Sequence, residues 1–547
     1  MRTVPTTLIL CLLALGFTTS CGDKDDTGTP PEADADTDGD ADSDSDGDMD
    51  ADSDADGDSD ADSDTDADGD TDPGIECDVD IDIDVDTDMD VDCDVDTDTD
   101  ADSVAGIDVN TVSTVFYGEG GGHLLGTSLA GGGDINGDGQ DDIVLGSTAM
   151  GAYVFHGPID HDAELSDHDA YIATGLDALS FVGDLNADGF DDLLLGDEYW
   201  TPDGHYGRMD GAAYLFYGPV SGEITAADAD ALLVGSTSDH AGEVLDGGGD
   251  VDGDGLPDFL VSGVSFPGGD QYGVVYLRYD APLGSVCLAD SDARLIGGSQ
   301  GDLAGYSAAL AGDVDGDGHS DVIVGAVLDD GGEEDGGGAY LFLGPIYGDR
   351  FTAEADAAMF GERSATGATY DRDAAGSAVG AAGDHNGDGY GDVLVGADGD
   401  SEGQDHSGTT YLMFGPISGQ SVLCHDAPAR LVGEGALDSS GTSVGSVGDL
   451  DADGRTDIAI GAHSESSSGT AAGATYLFLS PIMGTISLGA ADYKLVGGLW
   501  GENLGQALSY AGDVDNDGRD DLLVSGDGES STVDRAGAAY LVWGASF

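Results

Sequence analysis

From about residue 104 the apolar residues fall in short runs separated by Gly, Pro and Asp, and no stretch keeps a 3.6-residue period long enough for a helix. The runs recur in a fixed order. A strand of small residues such as GYSAALAGD is followed by an acidic loop, an apolar strand such as DVIVGA, a variable loop and an aromatic strand. The aromatic strand reads GAYVFHGP, GAAYLFYGP, GVVYLRYDAP, GAYLFLGP, GTTYLMFGP, GATYLFLSP and GAAYLVWG in turn. A linker and a fourth strand such as ALLVG or ARLIG lead into the next unit, so each unit predicts one four-stranded blade. The acidic loops begin at Asp134, Asp184, Asp250, Asp313, Asp384, Asp449 and Asp513, in steps of 50 to 71 residues. Seven units predict an all-β, seven-bladed β-propeller over residues 103–547.

Closure of the ring is also encoded. The last unit stops at Phe547, just after its aromatic strand, while a spare apolar run, Val115-Phe116-Tyr117, precedes the first inner strand. That run is predicted to supply the seventh blade's fourth strand, which hides the edges an open ring would expose.

Residues 1–102 have a different texture. An apolar run from Leu8 to Phe17 follows Met1-Arg2 and is too short to span a bilayer, as expected of an export signal over residues 1–21. The segment Thr18-Thr19-Ser20-Cys21-Gly22 resembles the lipobox of bacterial lipoproteins, which implies lipidation at Cys21; Thr18 stands where that pattern prefers Leu, so plain signal cleavage is the alternative. Residues 22–102 alternate Asp with Ala, Ser, Thr or Gly and cannot bury enough apolar surface to fold, so a disordered, self-repelling spacer is expected. From Asp78 to Asp100 every even position is Asp, and odd positions include Val79, Ile81, Ile83, Val85, Met89, Val91 and Val95. A calcium-induced β-ribbon and a tether are both open there.

The chain carries 113 acidic against 13 basic residues, a formal charge of -100, which repels nucleic acid and anionic lipid and makes cations the obvious partners. Beyond Cys11 and Cys21 only Cys77, Cys93, Cys287 and Cys424 remain, too few for a disulfide scaffold. Closeness in sequence makes Cys77 and Cys93 the first pair to consider, with a metal ligand or free thiols as the alternatives.

The chemistry concentrates in the loops. Each follows DxDxDGxxD, with Asn allowed at position three, and seven intact copies separate this pattern from a chance DG or NG turn. Ca²⁺ takes six to eight oxygens at ~2.3–2.6 Å, which alternate side chains of a tight loop can supply together with the carbonyl of position seven. Mg²⁺ demands a smaller octahedral cage, and thiolate-seeking metals find no sulfur. The candidate ligands, positions one, three, five, seven and nine, are Asp134, Asn136, Asp138, Gln140 and Asp142 in the first loop and Asp184, Asn186, Asp188, Phe190 and Asp192 in the second. The third has Asp250, Asp252, Asp254, Leu256 and Asp258; the fourth has Asp313, Asp315, Asp317, His319 and Asp321. The fifth has Asp384, Asn386, Asp388, Tyr390 and Asp392, and the sixth Asp449, Asp451, Asp453, Arg455 and Asp457. Asp513, Asp515, Asp517, Arg519 and Asp521 complete the set, and about seven structural calcium ions per chain are expected.

The loop core with its following YLF-type strand resembles the FG-GAP repeats of the integrin alpha-chain N-terminal propeller, over about Ser113 to Phe547. The resemblance implies that the loops join first and second strands and hold structural calcium on one face, while ligands bind the other. This chain departs by carrying the loop in every blade and by lacking an inserted helical domain. No partner chain or leg region is visible.

Catalytic motifs are scarce. Gly441-Thr442-Ser443-Val444-Gly445 fits GxSxG but occupies an inner-strand position with no helix after it, and the His residues show no HExxH spacing. The expectation is a non-enzymatic module. Ligand contact is sought in the variable loops, above all Asp197 to Met209, where Tyr199, Trp200, Tyr206 and Arg208 are the candidates, with Trp500 a further one. These side chains could equally pack their own loop. The two functional readings are an adhesion or ligand-binding scaffold for an extracellular protein or glycan, and a carbohydrate-binding or polysaccharide-degrading propeller. Either is expected to be exported, and held at the cell surface or outer membrane only through its N-terminal lipid, or secreted.

Overall fold

The computed structural model describes residues 104–202, 209–264, 271–331, 336–362, 372–401, 404–498, 500–528 and 535–547. The segment expected to be an export signal, Cys21, the acidic spacer with its period-two stretch, Tyr206 and Arg208 lie outside the described residues.

Seven antiparallel sheets are arranged as propeller blades, as the repeat predicts. In the first, the inner strand Leu125–Gly133 pairs with Asp142–Ser147, that strand with Gly151–Phe155, and that in turn with Ala170–Ala173. The second strands are buried along their whole length, save half-buried Asp197 at the end of the second blade's, because neighbouring blades cover both faces. Hence their near-continuous apolar sequences. Inner strands are small because they crowd: a methyl added to Gly131 would lie 2.7 Å from the Ala511 Cα on the inner strand of the neighbouring blade. The core is divided into seven layers, one between each pair of adjacent sheets.

The leftover run closes the ring. Ser113–Tyr117 pairs antiparallel with Ala538–Val542 of the last blade, with Val115 opposite Tyr540. Phe116 is fully buried between the seventh and first blades, against Leu541, Trp543 and Phe155.

Two features go beyond the sequence reading. After the aromatic strands of the second to sixth units the linker forms a short strand that pairs in parallel with the fourth strand of the preceding blade; Gly222–Thr225, for instance, lies beside Ala170–Ala173. Ile107–Asp108 does the same for the sixth blade, against Tyr493–Val496. The recurring tyrosine of the aromatic strand also has a polar role. The hydroxyls of Tyr276, Tyr411 and Tyr476 donate to Asp239 (2.5 Å), Asp400 (3.0 Å) and Glu434 (2.9 Å), and Tyr540 donates to Glu502. Among the described cysteines Cys287 is disulfide-bonded, and Cys424 is in no disulfide. No helix among the described residues is long and apolar enough to cross a membrane.

Candidate functional site

Each DxDxDGxxD loop joins an inner strand to the second strand, so all seven lie at one end of the blades. Position one organises the turn. Its Oδ2 accepts the N–H of the glycine at position six in every loop, at 2.8–3.0 Å. That glycine has φ between +83° and +94° in all seven copies, a region that L side chains avoid. The side chain of position five then accepts the N–H of position seven at 2.9–3.1 Å. Position three accepts from position five in six loops, at 2.8–3.1 Å. The loops therefore hold their acids in place through their own backbone, with no basic side chain needed.

Position nine is the buried anchor. Asp142, Asp192, Asp258, Asp321, Asp392, Asp457 and Asp521 are all at most 1% exposed at the start of the second strand. Oδ2 of each accepts the N–H of position two at 2.6–3.1 Å. In six, Oδ1 accepts the N–H of a residue in the turn after the aromatic strand, at 2.8–3.0 Å. In five of those turns the donor is the residue before a cis-proline, as at Gly157-Pro158. The anchor thus clamps loop to turn, and Oδ1 of each keeps a lone pair for a further partner.

Burial sets the electrostatics. It is the largest cause holding these carboxyls above the usual carboxylate range, at about 6 for Asp142, Asp321, Asp392 and Asp457 and about 7 for Asp192, Asp258 and Asp521. The acids at positions one, three or five add repulsion in the same direction. Carboxylate oxygens of Asp250, Asp252 and Asp254, and likewise of Asp449, Asp451 and Asp453, lie within 4.8 Å of one another. So do those of Asp313, Asp315 and Asp321, and of Asp513, Asp515 and Asp521. Two buried oxygens, Asn186 Oδ1 at position three and Asp258 Oδ1 at position nine, have no hydrogen-bond donor. Bare buried acceptors amid like charge fit a hard, oxygen-seeking cation.

The structure links loops that the sequence leaves separate. Asp134 donates its N–H to Asp191 Oδ2 (2.8 Å) of the next loop, and the Asp191 N–H returns to the Asp134 carbonyl (3.0 Å). Asp449 donates to Asp520 Oδ2 at 2.7 Å, and Asp513 to Asp141 Oδ2 at 2.9 Å, across the closure of the ring. Side chains at position seven lie over the preceding loop; a methyl on Gly137 would meet the Phe190 ring at 2.7 Å.

At the opposite end, the loops after the second and fourth strands carry the ligand candidates. Tyr199 is 58% exposed, edge-on to His240, and Trp500 is 79% exposed. Trp200 packs against the layer between the first and second blades. Beneath Tyr199 lie acids the sequence reading passed over: Glu198 sits 3.5 Å from His240, and burial followed by Glu198 holds Glu243 up at about 7. Ser443, of the GxSxG string, sits on an inner strand and donates its hydroxyl to the Gly505 carbonyl at 2.8 Å.

Comparison with known proteins agrees with the repeat. Residues 440–478 match the FG-GAP repeat family. Over 228 residues, 39% of this chain, the sequence is 33% identical to integrin alpha pat-2 of Caenorhabditis elegans, and over 184 residues, 31% of this chain, it is 34% identical to integrin alpha-PS2 of Drosophila melanogaster. The matched regions span 17% and 12% of those two proteins. Among solved structures, BBS1N, crystallised in complex with ARL6DN, aligns at a TM-score of 0.40 and 10% identity, over 74% of this chain and 89% of that one.

Proposed function

We propose that this integrin-alpha-like FG-GAP propeller is a calcium-stabilised adhesion or ligand-binding scaffold, exported and displayed on its acidic spacer. One observation carries the reading: seven loops repeat one backbone-organised set of carboxylates around a buried anchor, with bare acceptors at Asn186 and Asp258. Positions one, three, five and nine, with the carbonyl of position seven, would hold each Ca²⁺, and the ion would supply the positive charge the loops lack. No catalytic role is assigned, since Ser443 is spent on a backbone acceptor. Surface attachment rests on Cys21, through the lipobox-like segment.

A second reading, a carbohydrate-binding propeller, is favoured by exposed Tyr199 and Trp500, whose faces are of the kind that pack on sugar rings. Calorimetric calcium titration and a screen against glycans and extracellular proteins, run in calcium, test both. Asp317→Ala is expected to remove about one bound ion per chain, whereas Asp405→Ala, whose side chain is 76% exposed, removes none. Equal calcium stoichiometry in the two variants would defeat the calcium reading.

A further inference from the structure

The linker of the fifth unit differs from its counterparts. In the other units that have a parallel edge strand, a three-residue turn such as Thr352–Glu354 or Leu488–Ala490 joins it to the fourth strand. Here one residue is added: the turn is Leu423–Asp426, and the Asp426 carboxylate accepts the N–H of Val422, four residues back, at 2.7 Å. The residue between the buried first position and the acid is Ala289 after Leu288 in one counterpart and Ala353 after Thr352 in another, with no metal donor; between Leu423 and Asp426 stand Cys424 and His425.

The sheet brings a third donor beside them. Val422 pairs in parallel register with Phe360, so the chains leaving the two strands carry Glu362 and Cys424 side by side. The carboxylate oxygen of Glu362, the sulfur of Cys424 and a ring nitrogen of His425 all lie within 4.8 Å of one another, and Glu362 Oε1 is 3.7 Å from His425 Nδ1. Metal bonds of ~2.0–2.3 Å place neighbouring tetrahedral ligands about 3.3–3.8 Å apart, so the His–Glu pair already has that spacing. The backbone is held for the purpose. Leu423 is fully buried, Arg430 donates to the Cys424 carbonyl at 2.9 Å, and the Glu362 N–H donates to Asp373 Oδ2 at 2.8 Å. A cleft of about 320 Å³, lined by Phe360, Glu362, Val422 and Asp426, opens alongside.

We propose that Glu362, Cys424 and His425 form a site for a borderline-soft transition ion, Zn²⁺ by its chemistry, with the fourth position open to the cleft. Sulfur and imidazole nitrogen select against the Ca²⁺ that suits the Asp loops, so the two kinds of site fill independently. Three protein ligands and an exchangeable fourth leave room for water or a small anionic group of a ligand.

The test uses the whole chain in calcium and a non-thiol reductant, freed of zinc, with Co²⁺ as the probe. One Co²⁺ per chain is expected to give a thiolate-to-cobalt charge-transfer band and tetrahedral ligand-field bands, which Zn²⁺ abolishes by displacement. Cys424→Ser should lose the charge-transfer band while keeping its calcium stoichiometry and melting temperature. His425→Ala, a change on the exposed side of the turn, should weaken Co²⁺ roughly tenfold or more. No band at stoichiometric Co²⁺, the same band in Cys424→Ser, or unchanged affinity in His425→Ala would overturn the proposal.

Discussion

At the scale of single residues, the loops rest on two positions that spacing alone identifies: the glycine at six and the aspartate at nine. Gly318 has φ +94° with no atom within 4 Å of an added methyl, so space is no obstacle and the backbone conformation is. Gly318→Ala is expected to cost roughly 1–2 kcal/mol. Gly175, equally open but at an ordinary φ, is the matched control; Gly175→Ala should stay within about 0.5 kcal/mol. Equal melting temperatures for the two variants would contradict this account of the turn. The anchors at nine predict a pH dependence. Their carboxyls are held at about 6 or 7 in the fold, above the ~3.9 of an unfolded chain. A group raised by folding contributes stability that is fully present below its unfolded pKa and lost as pH rises through the folded value. With chelator present, the melting temperature should therefore fall between pH 4 and 7. Half-buried Asp177 and Glu243, raised the same way, add to the trend. A bound cation favours the charged form, so with calcium the fall should shrink or reverse and calcium affinity should rise over the same range. A chelated protein whose melting temperature climbs from pH 5 to 7 would refute the sign.

The next scale is the strand, where closure is the decisive event. Ser113–Tyr117 lies far in sequence from Ala538–Val542, yet it fills the edge of the last blade and buries Phe116, whose ring centroid is 4.8 Å from that of Phe155. Phe116→Ala should cost roughly 3–5 kcal/mol. A chain starting at Gly118 should melt lower and aggregate through its open edge, whereas one starting at Ser103 should behave as the full chain does. Identical melting of the two truncations would show that the strand does not close the ring. This strand was legible in the sequence because the repeat has one fourth strand too few at one end and a spare run at the other. The parallel edge strands were not: GEIT, GSVC, GDRF, GQSV and GTIS are short and mostly exposed or half-buried, so no apolar alternation marks them. Their partners lie a whole unit earlier. For the same reason the loop ligands could be read, being local in spacing, while the Glu362–Cys424–His425 group could not. Only the Cys-His pair in a lengthened linker hinted at it, and its third member enters through strand register.

Across the whole ring, the question is whether the loops act singly or together. A formal charge of -100 and seven acidic loops at one end of the blades make the metal-free fold self-repelling. The loops are also joined: Asp134 to Asp191, Asp449 to Asp520, and Asp513 to Asp141 across the closure, with Ser320 donating to the Asp250 carbonyl and Gly391 to that of Asp313, each at 2.8 Å. A change in one loop is thus transmitted to its neighbour through the backbone of position one. At ten times its dissociation constant, one ion that binds only the folded state contributes about 1.4 kcal/mol. Seven such ions would contribute roughly 10 kcal/mol, as much as the entire stability of an ordinary domain. Loss of a single ion would be modest, but loss of all seven removes a margin that packing of small inner strands does not replace. Chelation is therefore expected to lower the melting temperature of the whole propeller in one transition, reported equally by far-ultraviolet circular dichroism and by fluorescence of buried Trp543. Extracellular calcium modules bind at ~10⁻⁴–10⁻³ M, so millimolar calcium should restore the original curve. An unchanged curve in chelator would remove calcium from the fold's energetics, and a separate early transition confined to one probe would show blades that melt singly rather than a ring that melts as one.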